Sequence, residues 1–281
     1  MFRLLAEGKL RPYLRRTLDP GSVLLFLHIP KTAGTSLTGD LARLLPPYMN
    51  LAPDYADTSR PFREREDEML ARFLARARSG GLRSASGHYT LRRIRNLLRE
   101  AGGPPGFTPA YVSMLREPVT RLVSDYAYLT SPAHPDHAAA KERYPTLEAF
   151  VEAPREQNWI AQFLLDGRLL AGSAEAEAEI PAFLDRTYRF LGTVEEYEMS
   201  SFLLFALAGL RHVSTARANV APGGPTRLDG LDPALLARIR ELNRLDQIIY
   251  RHVSGVLARI RPAYEELRAS ESRKAADSAA R

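Results

Sequence analysis

The sequence predicts an α/β fold in which a central, mainly parallel sheet is flanked by helices. Two apolar runs of strand length, SVLLFLHI at 22–29 and AYVSML at 110–115, each lead through a short loop into a helical pattern. Such near-continuous apolar runs are typical of parallel strands that are buried on both faces. A third run, YRFLGTV at 188–194, is also followed by a helical segment. This alternation favours one α/β domain with helical insertions over two separate domains.

The helices are predicted from apolar spacing and from the residues at their ends. After the first strand, leucines between 37 and 45 form one stripe, which Pro46 and Pro47 bring to an end. Pro118 stands at a first-turn position and opens the helix after the second strand. A weaker strand over 84–89 carries His88 near its end. Further helices are predicted over 61–78, 91–100, 147–153, 155–166, 196–208 and 233–267.

The domain organisation follows from where these patterns begin and end. We predict one domain over 1–268, in which residues 1–20 form a helical leader. The Pro-rich segment 130–146 interrupts the pattern and is a candidate lid. The small, polar and charged residues 269–281 predict a disordered tail.

Composition excludes several classes of protein. The chain has no Cys, which rules out a disulfide scaffold, a thiol nucleophile and a thiolate metal site. The net charge of +6 attracts anions of any kind and selects none of them. Only four of the 39 basic residues are Lys, so Lys31 stands out as a compact ammonium. Because no apolar run has the length of a membrane span or the form of a signal peptide, we expect a cytoplasmic protein without a transmembrane anchor.

The first candidate site is the sequence HIPKTAGTS at 28–36, which lies between a buried strand and a helix. Unpaired amides at a helix start favour anions, and Lys31 adds a full positive charge. Ala33 and Gly34 are small enough for the main chain to approach an anion. Three hydroxyl residues add further donors: Thr32, Thr35 and Ser36. The alternative is that a hydroxyl merely caps the helix and that Lys31 is solvated.

The second candidate site is LREPVTRLVSDY at 115–126. Arg116 ends a strand and Ser124 lies about two turns into the next helix, so one bound group can reach both. Arginine recognises a phosphate through two parallel hydrogen bonds, and a Ser hydroxyl can add a third. The alternative is a surface ion pair between Arg121 and Asp125, with Ser124 as a small buried residue.

Together, LHIPKTAGTSL and LREPVTRLVSDYAYL resemble the 5'-phosphosulfate and 3'-phosphate motifs of sulfotransferases that use 3'-phosphoadenosine 5'-phosphosulfate (PAPS). The branch that includes heparan sulfate 2-O-sulfotransferase and its bacterial relatives is the most similar. The resemblance spans about 22–253, although only these two motifs are specific. It implies a P-loop-like three-layer sandwich. It assigns 31–36 to the 5'-phosphosulfate, Arg116 and Ser124 to the 3'-phosphate, and Asn219 to cofactor binding.

The resemblance also implies that His88 is the catalytic base. Some members of that branch carry another His two residues earlier, where this chain has Ser86. An imidazole, with a reference pKa of about 6.5, is suited to taking a proton from a hydroxyl near neutral pH. The alternative is that His88 is structural, as a single His in a weak strand often is.

The expected reaction is an in-line transfer of the sulfuryl group from PAPS to an acceptor hydroxyl. His88 takes the proton, Lys31 stabilises developing charge, 3'-phosphoadenosine 5'-phosphate (PAP) is the product and no metal is required. The resemblance suggests a glycan or glycolipid acceptor in the cytoplasm of a bacterium, with peripheral membrane contact left open. An acidic glycan would suit the arginines that flank His88, and a solvated helix face is their alternative reading. Those arginines are Arg83, Arg92, Arg93 and Arg95.

Two other functions are considered. A kinase or phosphotransferase using ATP would need a hydroxyl after the loop Lys and a companion Asp for magnesium; in this loop Lys31 precedes the glycine, and no such Asp can be assigned. A non-catalytic module that binds anions or nucleic acid would use the excess positive charge. Its arginines, however, are scattered among glutamates with few aromatic residues between them, so we expect no nucleic-acid partner.

Overall fold

The computed structural model describes residues 1–53, 59–102, 107–214, 228 and 230–279. Five strands form one sheet: β1 (Ser22–Leu27), β2 (Tyr48–Asn50), β3 (Ser84–Gly87), β4 (Thr108–Leu115) and β5 (Phe190–Thr193). Their order is β2-β3-β1-β4-β5, and every neighbouring pair is parallel. The predicted α/β fold with a central parallel sheet flanked by helices is confirmed.

The described residues include thirteen α-helices. They are α1 (Phe2–Ala6), α2 (Leu10–Leu14), α3 (Gly34–Leu44), α4 (Phe62–Arg78), α5 (Leu91–Glu100), α6 (Pro118–Leu129), α7 (His137–Arg143), α8 (Leu147–Glu152), α9 (Trp159–Leu164), α10 (Ala174–Thr187), α11 (Tyr197–Ala206), α12 (Pro233–Leu242) and α13 (Arg244–Ala279). No helix among the described residues combines the length and the apolar character that crossing a bilayer requires.

The strand order explains where a site can form. β1 lies in the middle of the sheet, and Leu24 and Phe26 on it are almost fully buried. From β1 the chain continues to β2 and β3 on one side, whereas from β4 it continues to β5 on the other. The connections therefore diverge between β1 and β4 and leave a crevice at the carboxyl ends of these strands, where ligands of open α/β sheets bind.

The two ends of the chain differ from the expectation. Residues 1–20 contain helices α1 and α2, and Phe2, Leu5 and Tyr13 are fully buried in the main hydrophobic core. The leader is therefore part of the packed fold. The prediction of a disordered tail is wrong as far as Ala279, because α13 continues to that residue. Its last turns are rich in Ala, Glu, Arg and Lys, which are good helix formers even where they are exposed.

The segment 130–146 is more ordered than a bare loop. It contains α7, and its His134 ring makes an edge contact with Tyr128, with ring centroids 5.3 Å apart. This contact places the segment beside the last turn of α6. The suggestion that it acts as a lid stays a prediction.

Candidate active site at the carboxyl ends of β1, β3 and β4

The loop between β1 and α3 is the candidate anion cradle. Lys31 and Ala33 adopt left-handed backbone angles, with φ of 68° and 58°. Ala33 is the N-cap of α3 and supplies no side-chain hydrogen bond. Among the described residues, six other helices also have no side-chain cap, namely α1, α2, α4, α7, α9 and α11. In contrast, α5, α6, α8, α10 and α12 are each capped by their own Thr, Glu, Ser or Asp. The side chain at the N-cap of α3 therefore does not compete with an anion for the first amides of the helix.

The three hydroxyl residues of the loop have different environments. Thr32 is fully buried, and its Oγ1 donates to the carbonyl oxygen of Ile29 at 2.8 Å. Its hydroxyl proton is therefore already engaged within the loop. Ser36 is buried and shares a hydrogen bond with Tyr197, whereas Thr35 is exposed.

Gly34 has a reason to be glycine that spacing alone does not show. A Cβ atom at this position would lie 1.9 Å from Nε2 and 2.0 Å from Cδ2 of His28. The imidazole of His28 fills the space beside the first residue of α3. Gly34 makes room for this ring, in addition to any close approach of the main chain to an anion.

Lys31 is half-buried, and its charge is balanced from helix α6. Its Nζ atom lies 4.1 Å from the centroid of the Tyr128 ring. Burial lowers the pKa of Lys31, and the carboxylate of Asp125 opposes this effect. The ammonium is therefore partly desolvated and retains two stabilising neighbours, an aromatic face and a carboxylate.

Arg116 and Ser124 lie beside this loop. Arg116 directly follows β4, and its Nη1 donates to the carbonyl oxygen of Lys31 at 3.4 Å. Ser124 is buried on α6. The carboxylate of Glu117 already accepts hydrogen bonds from the amides of Val119 and Thr120 at the start of α6. An anion at this position would thus be held by the side chains of Arg116 and Ser124 rather than by helix amides.

His88 lies one strand away on the other side of β1. Because Leu27 pairs with Gly87, His28 and His88 come directly after paired residues, and their ring centroids are 4.3 Å apart. Nδ1 of His88 is 2.8 Å from the carbonyl oxygen of His28. A carbonyl oxygen only accepts, so Nδ1 carries the hydrogen and Nε2 of the neutral ring has the free lone pair.

The electrostatic environment keeps His88 neutral near pH 7. Burial lowers its pKa, while the hydrogen bond to His28 and the charge of Asp125 oppose this shift. A neutral ring with an available Nε2 can act as a general base.

Asp125 is a functional candidate that the sequence did not single out. The predicted ion pair with Arg121 exists, with Nη1 of Arg121 3.0 Å from Oδ2 of Asp125. It is not a surface pair, however, because Arg121 is only 1% and Asp125 7% exposed. From this buried position the carboxylate influences both Lys31 and His88. The i,i+4 spacing predicted the ion pair between Arg121 and Asp125, and only the packing of α6 shows that the pair faces the interior.

Two of the four arginines near His88 make contacts directed away from it. Arg93 forms an ion pair with Asp67. Arg95 lies over the rings of Tyr111 and Phe183. These contacts favour a structural role for both and weaken the case for a glycan surface on this helix. Asn219 lies outside the described residues. Within the described part of the chain, no group of three or more His, Asp or Glu side chains is placed to hold a metal ion.

Comparison with known proteins yields a similarity to solved structures. No family model matches this sequence, and no curated protein matches it. Among solved structures, the chain is similar to mouse sulfotransferase SULT7A1 complexed with PAP, with a TM-score of 0.39 and 14% sequence identity. The similarity covers 87% of this chain and 72% of the mouse protein.

Proposed function

We propose that this chain is a PAPS-dependent sulfotransferase that transfers a sulfuryl group to an acceptor hydroxyl. The observation that carries the proposal is the meeting of three features at adjacent strand ends. An uncapped helix start with Lys31 follows β1, Arg116 follows β4, and a neutral His88 follows β3. Two neighbouring anion sites of different construction suit a nucleotide that is phosphorylated at both its 5' and 3' positions.

The residues present fit that nucleotide chemically. The first turn of α3, with Lys31, would hold the phosphosulfate. The guanidinium of Arg116 can make two parallel hydrogen bonds to a 3'-phosphate, and the hydroxyl of Ser124 can add another. Since Arg116 already contacts the carbonyl oxygen of Lys31, the two sites are directly adjacent. The assignment of Asn219 to cofactor binding stays a prediction.

The side chains supply the two things that the reaction needs, a base and a positive charge. When bound, PAPS supplies an activated sulfuryl group that passes to the acceptor oxygen. Nε2 of His88 takes the hydroxyl proton of the acceptor. The ammonium of Lys31 stabilises negative charge on the phosphate oxygen that departs. In this scheme no metal ion is needed for charge stabilisation.

The finer parts of the proposal depend on the motif resemblance. It supports membership of the heparan sulfate 2-O-sulfotransferase branch and a carbohydrate or glycoconjugate acceptor. We also propose a bacterial cytoplasmic location and no nucleic-acid partner. Incubation with labelled PAPS and desulfated glycans, glycolipids and phenols would identify the acceptor class.

Ligand titration tests the central proposal. We expect PAP to bind more tightly than ATP with magnesium. Lys31→Ala should lower turnover about 100-fold, as expected for loss of a preorganised charge at the transferring group. Arg116→Lys should weaken PAP about tenfold and leave the analogue without the 3'-phosphate unaffected, because a lysine lacks the paired donors.

Lys9→Ala is the matched control, since Lys9 is exposed and pairs with Glu7 in the segment between α1 and α2. It should retain the parental affinity and rate. If ATP with magnesium bound better than PAP, or if no acceptor in the panel became labelled, the proposed function would be wrong.

A further inference from the structure

The imidazole of His28 is enclosed by three parts of the site. On one side it stacks on Phe26, with centroids 5.5 Å apart and planes 14° apart. It also faces His88 at 4.3 Å. Its edge fills the space where Gly34 lacks a Cβ atom. The ring therefore lies against both the candidate base and the first residue of α3.

His28 is unsuited to carrying a proton itself. Burial and the neighbouring His88 lower its pKa to about 3. Two protonated rings at this separation would repel each other in a poorly solvated space. The groups that act on His88 are the carbonyl oxygen of His28 and the carboxylate of Asp125. His28 therefore contributes an uncharged ring beside His88, and the pKa of His88 is influenced by Asp125 on α6.

We propose that His28 is a positioning residue that maintains the separation between His88 and the first turn of α3. This inference rests on the proposed function for its effect on turnover. The main chain of His28 orients His88 through Nδ1, and the ring of His28 packs against the ring of His88. Gly34 is also required for this position of the His28 ring, because a methyl group at Gly34 would displace the ring.

A double-mutant cycle on His28 and Gly34 isolates this contact. Gly34→Ala should lower turnover about tenfold or more, since small misplacements of reacting groups have large effects on rate. In the His28→Ala background the added methyl group meets no ring, so Gly34→Ala should lower turnover by a clearly smaller factor than in the parent, and the remaining loss is its effect on the anion site. Gly34 has no left-handed backbone angle, so this substitution tests steric contact rather than backbone strain.

Three further readouts separate positioning from a general loss of structure. His28→Ala should lower kcat about tenfold while the affinity for PAP changes less than about threefold. The pKa of His88, followed by NMR, should rise toward its ordinary value because water replaces the ring. His28→Phe retains an aromatic ring without nitrogens and should recover a large part of kcat.

The outcomes are distinct. If Gly34→Ala is equally harmful with and without His28, or if His28→Ala leaves kcat and the pKa of His88 unchanged, the inference is overturned. Thermal unfolding of the parent, the two single variants and the double variant of the cycle reports the ring contact independently of activity. The NMR titration of His88 does the same. A parent protein that neither binds PAP nor transfers sulfate would refute the proposed function, while these two measurements would still decide the contact between His28, His88 and Gly34.

Discussion

Lys31 shows how a single side chain can be both charged and partly withdrawn from water. An ammonium that loses hydration needs replacement interactions, and a ring face supplies one without neutralising the charge. Tyr128 is in this position, 4.1 Å from Nζ, and it remains 39% exposed. Asp125 contributes the opposite charge from the same helix. The cation remains available to a phosphosulfate because neither neighbour forms a direct ion pair with it among the described contacts.

Substitution of Tyr128 tests this reading. Tyr128→Leu should lower turnover about five- to tenfold, because a cation–π contact contributes roughly 1 kcal/mol at a partly exposed site. Tyr128→Phe retains the ring and should stay within about twofold of the parent. Rates of sulfate transfer with labelled PAPS measure both effects. Equal rates for the Leu and Phe variants would show that the aromatic face contributes nothing to Lys31.

The residues of the site could be predicted only in part. The two motifs identified Lys31 and Arg116, the family resemblance added His88, and the structure brings all three to the carboxyl ends of neighbouring strands. The contact between His28 and His88 could not be predicted, because it depends on the register of two strands that are distant in sequence. The burial of Asp125 depends on which face of α6 packs inward. Both are consequences of tertiary structure.

At the level of secondary-structure elements, the spacing of apolar residues predicted a strand or helix correctly where the apolar sequence was long or continuous. β1 and β4 were predicted because buried parallel strands have continuous apolar sequence. Strand β2 was not predicted, because its three residues are too few for a detectable alternation. Helix α10 was not predicted either, because alternating Ala and Glu obscure a helical stripe and Pro181 lies within the helix. Elements with such weak local patterns depend on packing against neighbouring elements for their stability.

One buried carboxylate joins two helices that are distant in sequence. Asp246 on α13 accepts hydrogen bonds from the amides of Ile160 and Ala161 at 3.1 and 2.8 Å and so caps α9. It also lies within electrostatic range of the buried Arg121. Burial raises the pKa of Asp246 to about 6, so the group is fully ionised only above that pH.

Asp246→Ala should lower the free energy of unfolding by about 3 kcal/mol at pH 8, because it removes the cap and leaves the charge of Arg121 less compensated. Asp246→Asn keeps one acceptor oxygen and should cost about 1 kcal/mol less than the alanine variant. Urea denaturation at pH 8 measures both. A loss within about 0.5 kcal/mol for the alanine variant would contradict this role.

At the scale of the whole molecule, the candidate site lies between β1 and β4, where the connections of the sheet diverge. The loops after β1 and β4 separate there, and Ser113 on β4 donates to the carbonyl oxygen of Leu27 at 2.7 Å. This bond fixes the two strand ends relative to each other, directly below the loops that carry Lys31 and Arg116. The paired strand ends therefore support the loops of the candidate site, and helices α3 and α6 add Ser36 and Ser124 beside them.

The two ends of the chain contribute very different amounts to the stability of the whole fold. At the amino-terminal end, Phe2 and Leu5 are fully buried, and the Phe2 ring packs against Phe190 and His252. At the other end, the described side chains of residues 272–276 are exposed. Helical structure at the two ends thus has different causes, core packing in one case and local propensity in the other.

Deletion of residues 1–14 should abolish cooperative unfolding or lower stability by more than about 5 kcal/mol, since even one buried Phe replaced by Ala costs about 3 to 5 kcal/mol. Deletion of residues 272–281 is the matched control and should change stability by less than about 0.5 kcal/mol, because exposed helix ends contribute little. Urea denaturation followed by circular dichroism measures both proteins. A stable, cooperatively folding protein without residues 1–14 would show that α1 and α2 are an appended leader after all, and a large loss on removing 272–281 would show that the end of α13 has packing partners beyond its own turns.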